Sequence, residues 1–179
     1  QSSLFTIARR RILWLLILVL ANGLTTKVIA MNDQVLKEIV LLAAFIPLLI
    51  GTGGNVGAQS STVVIRGLST QKLKSLGAFK AVVKEAITGA LLGVFMMLVV
   101  FPFAWWQGEG PLVASAVGIS LISITTLAAT TGAILPLLFD RMKLDPALMS
   151  SPFITTVTDI AGVFIYLSTA KWLLSASLV

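Results

Sequence analysis

Apolar residues run through this chain in five long blocks, separated by short polar or basic stretches. A helix needs about 20 residues to cross a bilayer, and the blocks predict helices over about 12–31, 39–65, 85–104, 111–138 and 150–170. The expected fold class is all-α and integral to the membrane, one transmembrane domain over residues 1–179. The third block, AITGALLGVFMMLVVFPF, is apolar nearly all round and reads as lipid-facing. Trp105 and Trp106 mark the interface beyond it, and QGEGP reads as a tight turn. The fourth block carries Ser115, Ser120, Ser123, Thr125, Thr126, Thr130 and Thr131, with Pro136 bending its end. Such hydroxyls bond the local backbone or a neighbouring helix, so packing is the expected use.

The second block departs from the others. Its core, PLLIGTGGNVGAQSSTVVIRG over 47–67, holds no charge before Arg66, yet is rich in Gly, Ser, Thr, Asn and Gln. At helical spacing Gly51, Asn55, Gln59 and Thr62 form one polar stripe, while Gly53 and Gly57 form a small-xxx-small notch for close approach of another helix. Pro47 removes a backbone donor and invites a kink. The glycines give G-x-G-x-x-x-G, one residue off the dinucleotide fingerprint and with no following Lys, inside an apolar helix rather than after a strand. No nucleotide is expected to bind here.

Composition sharpens the picture. With 57% hydrophobic and 11% charged residues, the chain belongs in a lipid bilayer. It has no Cys and no His, which removes disulfides, thiolate sites and imidazole sites together, so any metal must meet oxygen. The net charge of +6 is explained by basic cytoplasmic loops rather than by nucleic acid. With Arg9, Arg10 and Arg11 before the first helix, Arg66, Lys72, Lys74, Lys80 and Lys84 after the second, and Arg141 and Lys143 after the fourth, ten basic residues fall inside and three, Lys27, Lys37 and Lys171, outside. The predicted topology therefore has the N-terminus cytoplasmic and the C-terminus outside, in a plasma or inner membrane. Lys27 near the far end of helix one can snorkel to the headgroups. The triple arginine imitates a signal peptide, but the apolar run continues to Ile29 with no small-residue cleavage site. The opening Gln1, without an initiator Met, leads us to expect upstream sequence. Five crossings without a visible repeat argue against an inverted-repeat transporter within one chain, and favour a polar path built by a homodimer on a two-fold axis.

Asp159 is the one acid we place within the apolar part of a predicted helix. A carboxylate there costs about 2.5–3.5 kcal/mol on insertion scales, a cost that usually marks function. Thr155, Thr156 and Gly162 share its helical face, offering hydroxyls and an open backbone. The bland alternative is a buried ion pair with Arg66 or Lys27. The functional reading is a site for a hard cation such as Mg²⁺, Ca²⁺ or Mn²⁺, since only oxygen ligands are available. Mg²⁺ holds its water tightly, so one carboxylate per chain suits contact with a hydrated ion, two copies of Asp159 flanking it across a dimer axis. No nucleophile sits with a base, and no enzyme is expected.

The runs PLLIGTGGNVGAQSSTVVIRGLS, LPLLFDRMKLDPAL and SPFITTVTDIAGVFIY closely resemble the transmembrane domain of the MgtE-type magnesium transporters, over nearly all of residues 9–175. The resemblance implies a homodimer of five-helix subunits, a pore on the two-fold axis lined by helices two and five, and passage of Mg²⁺, with Mn²⁺ or Co²⁺ left open. By motif it makes Asp159 the central Mg²⁺ carboxylate, Thr155 a neighbour of the hydrated ion, and Gly54, Asn55 and Gln59 pore-wall positions. Ser151 stands before Pro152 where many relatives have Gly. Family members usually carry cytosolic regulatory domains, a helical N domain and a CBS pair, and neither is expected within this sequence. Two other functions fit the residues: an ion-coupled exchanger of divalent cations, and a non-conducting membrane anchor or assembly module.

Overall fold

The computed structural model describes residues 4–33, 40–70 and 77–177. They form five long helices: α1 (Leu4–Met31), α2 (Leu41–Ser69), α3 (Ala78–Ala104), α4 (Gly110–Arg141) and α5 (Pro146–Ser177). Four of them hold spans long and apolar enough to cross a membrane, and α1 adds a shorter apolar stretch over Leu18–Met31. The expected all-α membrane architecture is present. The polar connections carrying Lys37, Lys72 and Lys74 lie outside the described residues.

α4 is the hub. It packs on α2, α3 and α5, while α1 lies chiefly against α5 and α2 barely meets α3. Its small residues explain this position: Ala114, Ala116, Gly118, Ala128, Ala129, Gly132 and Ala133 are all buried, letting three neighbours come close. The buried Ser120 hydroxyl of α4 has no partner among the described residues, but three threonines behave as expected, with Thr125 donating to the Leu121 carbonyl at 2.7 Å, Thr126 to Ile122 at 2.6 Å and Thr130 to Thr126 at 2.7 Å. Each spends its proton on the backbone one turn earlier and so costs little when buried. Tyr166 of α5, fully buried, donates to the Leu42 carbonyl at 3.0 Å and ties the second half of α5 to the start of α2.

The helices run past their predicted ends because polar residues near an interface do not stop a helix whose backbone bonds are already paired. The segment 78–84, expected in the basic loop, forms the first two turns of α3, with Lys80 and Lys84 exposed. Arg9, Arg10 and Arg11 likewise lie within α1 rather than ahead of it. The expected tight turn at QGEGP is instead a π-helical segment, Trp105–Glu109, that runs into α4 at Gly110, whose φ of 76° reverses the chain.

The return from α4 to α5 is tightly built. The Leu144 amide bonds the Phe139 carbonyl at 2.9 Å and the Lys143 amide bonds the Asp140 carbonyl at 3.0 Å, closing α4 in a Schellman motif with Lys143 at φ 58° where Gly is usual. Asp145 Oδ1 then accepts from the Ala147 amide at 2.9 Å and caps α5, with Pro146 at the first helical position. This short bend sets where α5 begins, and hence the level at which Asp159 sits.

Candidate functional site

The notch predicted on α2 is real, and it orders everything around Asp159. A side chain at Gly53 would run into Thr158 and Ile124, and one at Gly57 into Ile154 and the Ala128 carbonyl. The pairs 53 with 158 and 57 with 154 show α2 and α5 running antiparallel, in contact through hydrogen atoms where other residues carry side chains. Val56, Gly57, Ser60 and Val64 complete the buried face of α2.

The opposite face of α2 is open. Gly51, Asn55, Gln59 and Thr62 are all exposed, Gly54 is partly so, and a methyl group added at Gly51 or Gly54 would meet nothing within 4 Å. Arg66 continues this stripe one turn further. Ala58, Ser61, Thr62, Ile65 and Arg66 of α2 share an open cleft of about 390 Å³ with Ala147 and Ser151 of α5. Thr62 and Arg66 of the polar stripe and the first turns of α5 therefore face one space.

Asp159 sits half-buried on α5, one residue beyond Thr158 and so, in the antiparallel register, at the level of Thr52 and Gly53. Thr155, one turn earlier, is exposed, and Thr156 partly so. Both hydroxyls donate to the Pro152 carbonyl, at 3.0 and 2.9 Å. Their protons are thus engaged, leaving the oxygen lone pairs of Thr155 to accept. The carboxylate of Asp159, the hydroxyl of Thr155 and the side-chain amides of Asn55 and Gln59, on neighbouring helices, each offer an oxygen that can accept, chemistry that suits a cation presenting its own bound water as donors.

Gly162 does not belong to this set. It is buried, with Ile124 at 3.7 Å from the position a methyl would take, because the fourth-residue spacing of α5 turns it toward α4. The ion-pair alternative is also absent: among the described residues Asp159 has no basic partner, and Arg66 and Lys27 are both exposed. No group of three or more Asp, Glu, Cys or His gathers among the described residues, so one chain offers Asp159 singly rather than a cage.

A second acid is hidden in the sequence. Glu85 of α3 is buried within the bundle and accepts a 2.7 Å hydrogen bond from the hydroxyl of Ser60, itself 4% exposed. Its proximity to Lys80 and Lys84 disguises it as part of a basic run. The four-residue series Ala81, Glu85, Gly89, Gly93, all buried, is the signal that assigns it to a packing face.

Comparison with known proteins gives the family. Residues 46–169 fit the model of the MgtE family, described as a divalent cation transporter. The magnesium transporter MgtE of Thermus thermophilus is 40% identical over 166 residues, covering 93% of this chain and 37% of that protein. The magnesium transporters MgtE of Bacillus subtilis and Enterococcus faecalis are each 34% identical, over 95% and 92% of this chain and 38% and 36% of their own lengths. The chain thus spans little more than a third of the relatives it matches. On the family match, which takes in most of α2 and all of α3 and α4, the chain belongs to the MgtE family of divalent cation transporters.

Proposed function

We propose that this chain forms the membrane pathway of a magnesium transporter, in which two copies meet on a two-fold axis and a largely hydrated Mg²⁺ passes between their Asp159 carboxylates. The observation that carries the reading is the half-buried Asp159 at the α2–α5 seam, without a basic partner among the described residues and near the exposed polar stripe of α2. A carboxylate left in a membrane helix without a basic partner is costly, and a passing cation offsets that cost. The names of the three relatives point to Mg²⁺ as the ion.

The chemistry follows from the ion. Mg²⁺ sheds water reluctantly, so the path strips few of its ligands and reads the hydrated ion through acceptors. Asp159 supplies the charge; Thr155, Asn55 and Gln59 supply neutral oxygens for the outward-pointing water protons. One negative charge from each chain balances one divalent cation, and neither chain alone holds it. Conduction needs binding weak enough for release, which contact through water provides.

Reconstitution tests this. Liposomes carrying the chain should take up Mg²⁺ down an imposed Mg²⁺ gradient, with no requirement for a pH or Na⁺ gradient. Asp159→Asn should lower uptake by about a hundredfold or more while insertion and dimerisation persist, since the lost charge–ion attraction is worth a few kcal/mol in a partly dry path. Uptake by Asp159→Asn at the parent rate refutes the ion site. Flux that appears only with a proton or Na⁺ gradient would assign a coupled exchanger instead.

A further inference from the structure

The buried Glu85 plays no part in the pathway described above, yet an acid inside a membrane helix is costly enough to need a purpose. Its partner gives that purpose. Ser60 lies next to Gln59 in sequence, on the packed side of α2, whereas Gln59 and Asn55 lie on the open side. α2 and α3 otherwise barely touch, because α4 stands between them. The bridge across this gap depends on Gly132 of α4: a side chain there would collide with the Gly57 carbonyl and come within 3.1 Å of Ser60 Cβ. The missing side chain lets α2 settle against α4 at the level where the Ser60 hydroxyl meets Glu85.

On α3 the acid is equally fixed. Gly89, one turn on, lies against the Thr125 carbonyl and Ala129, and Gly93 against Ile122, so α3 is locked to α4 along the stripe that carries Glu85. α3 and α4 thus make a rigid frame, and the Ser60–Glu85 bond is a tether from that frame to α2. A helix held by van der Waals contact at glycines can rotate or slide more easily than one also pinned by a buried directional bond.

We infer that Glu85 is a positioning residue for ion passage: through Ser60 it fixes the rotation of α2 and so keeps Asn55 and Gln59 turned toward the path. This rests on the Mg²⁺-pathway reading above. Glu85 touches no ion. Loss of either partner lets α2 turn, and the neutral oxygens that receive the hydrated ion leave their places although Asp159 is intact.

The test is Mg²⁺ uptake per inserted protein in liposomes, with Asp159→Asn alongside. Ser60→Ala and Glu85→Ala should each lower uptake roughly fivefold to tenfold, as expected for loss of a buried bond to a carboxyl group. The double variant should be no slower than either single variant, because both remove one bond. Glu85→Gln and Ser60→Thr, which keep an acceptor and a donor, should recover most of the rate. Orientation is read separately: the chain has no Cys, so Asn55→Cys reports one position, and its labelling by a water-soluble thiol reagent should slow when Ser60→Ala is added. Should Glu85→Ala fail to insert, Ser60→Ala, which removes a single oxygen, carries the test. Parent rates in both single variants, multiplied losses in the double variant, or unchanged Asn55→Cys labelling would overturn the inference while leaving Asp159 in place. A parent chain without flux would overturn the pathway reading, and this inference with it.

Discussion

At the scale of single residues, the site separates threonines that look alike in sequence. Thr155, Thr156 and Thr158 all donate to backbone carbonyls one turn back, so none is a free donor. They differ in where the remaining lone pairs point: Thr155 is exposed beside Asp159, whereas Thr158 is 1% exposed with its methyl against Gly53. Thr155→Val keeps the shape and removes one acceptor from the path. It should slow Mg²⁺ uptake about fivefold, corresponding to about 1 kcal/mol for one hydrogen bond. Thr158→Val keeps the methyl that packs on Gly53 and should leave uptake unchanged. Equal effects from the two, measured in the same liposomes, would contradict the assignment of sides. The TTVTD run points to Asp159 and Thr155, but not to which hydroxyls face away. Gly162 differs from expectation for the same reason: three residues from Asp159 reads as one face, yet the turn between them is wide enough for Ile124 to claim Gly162.

At the scale of helices, glycine does two different jobs on α2. Gly53 and Gly57 are contact points, and a side chain at Gly53 would come within 2.7 Å of Ile124 Cγ2. Gly51 and Gly54 meet open space. Gly53→Val should therefore destabilise the folded chain by about 1–3 kcal/mol through overpacking, seen as a lower thermal transition in detergent. Gly51→Ala should hold or raise that transition, since Ala is favoured over Gly in a helix by about 1 kcal/mol. Equal losses at both positions would show that the two faces of α2 are not distinct. This division is legible in the sequence, because small residues four apart mark a packing seam and amides at the same spacing mark a polar one. The start of α3 is not legible there. Lys80 and Lys84 read as loop because charge is expensive in lipid, but at the membrane surface long basic side chains point to water and the helix continues. That shifted boundary is what conceals Glu85.

At the scale of the whole molecule, five helices leave one subunit with an open polar face rather than an enclosed channel. α4 collects three helices around its small residues, and α1 lies chiefly against α5. The number and membrane character of the helices follow from hydropathy. The hub position of α4 does not, because its run of Ala and Gly permits close neighbours without saying which helices they are. On the proposed reading a second copy covers the open face: it would bring the same stripe and the same acid, and so convert two half-sites into one site of charge balanced for a divalent ion.

Mixed dimers test that claim most directly. Parent and Asp159→Asn chains carrying different affinity tags, co-expressed and purified through both tags, give dimers with one carboxylate. If the two chains share a single ion site, one substitution should reduce Mg²⁺ uptake at least about tenfold, because the remaining carboxylate loses its partner in holding the ion. Uptake at half the parent rate would mean that each chain conducts alone, and would contradict a shared site at Asp159.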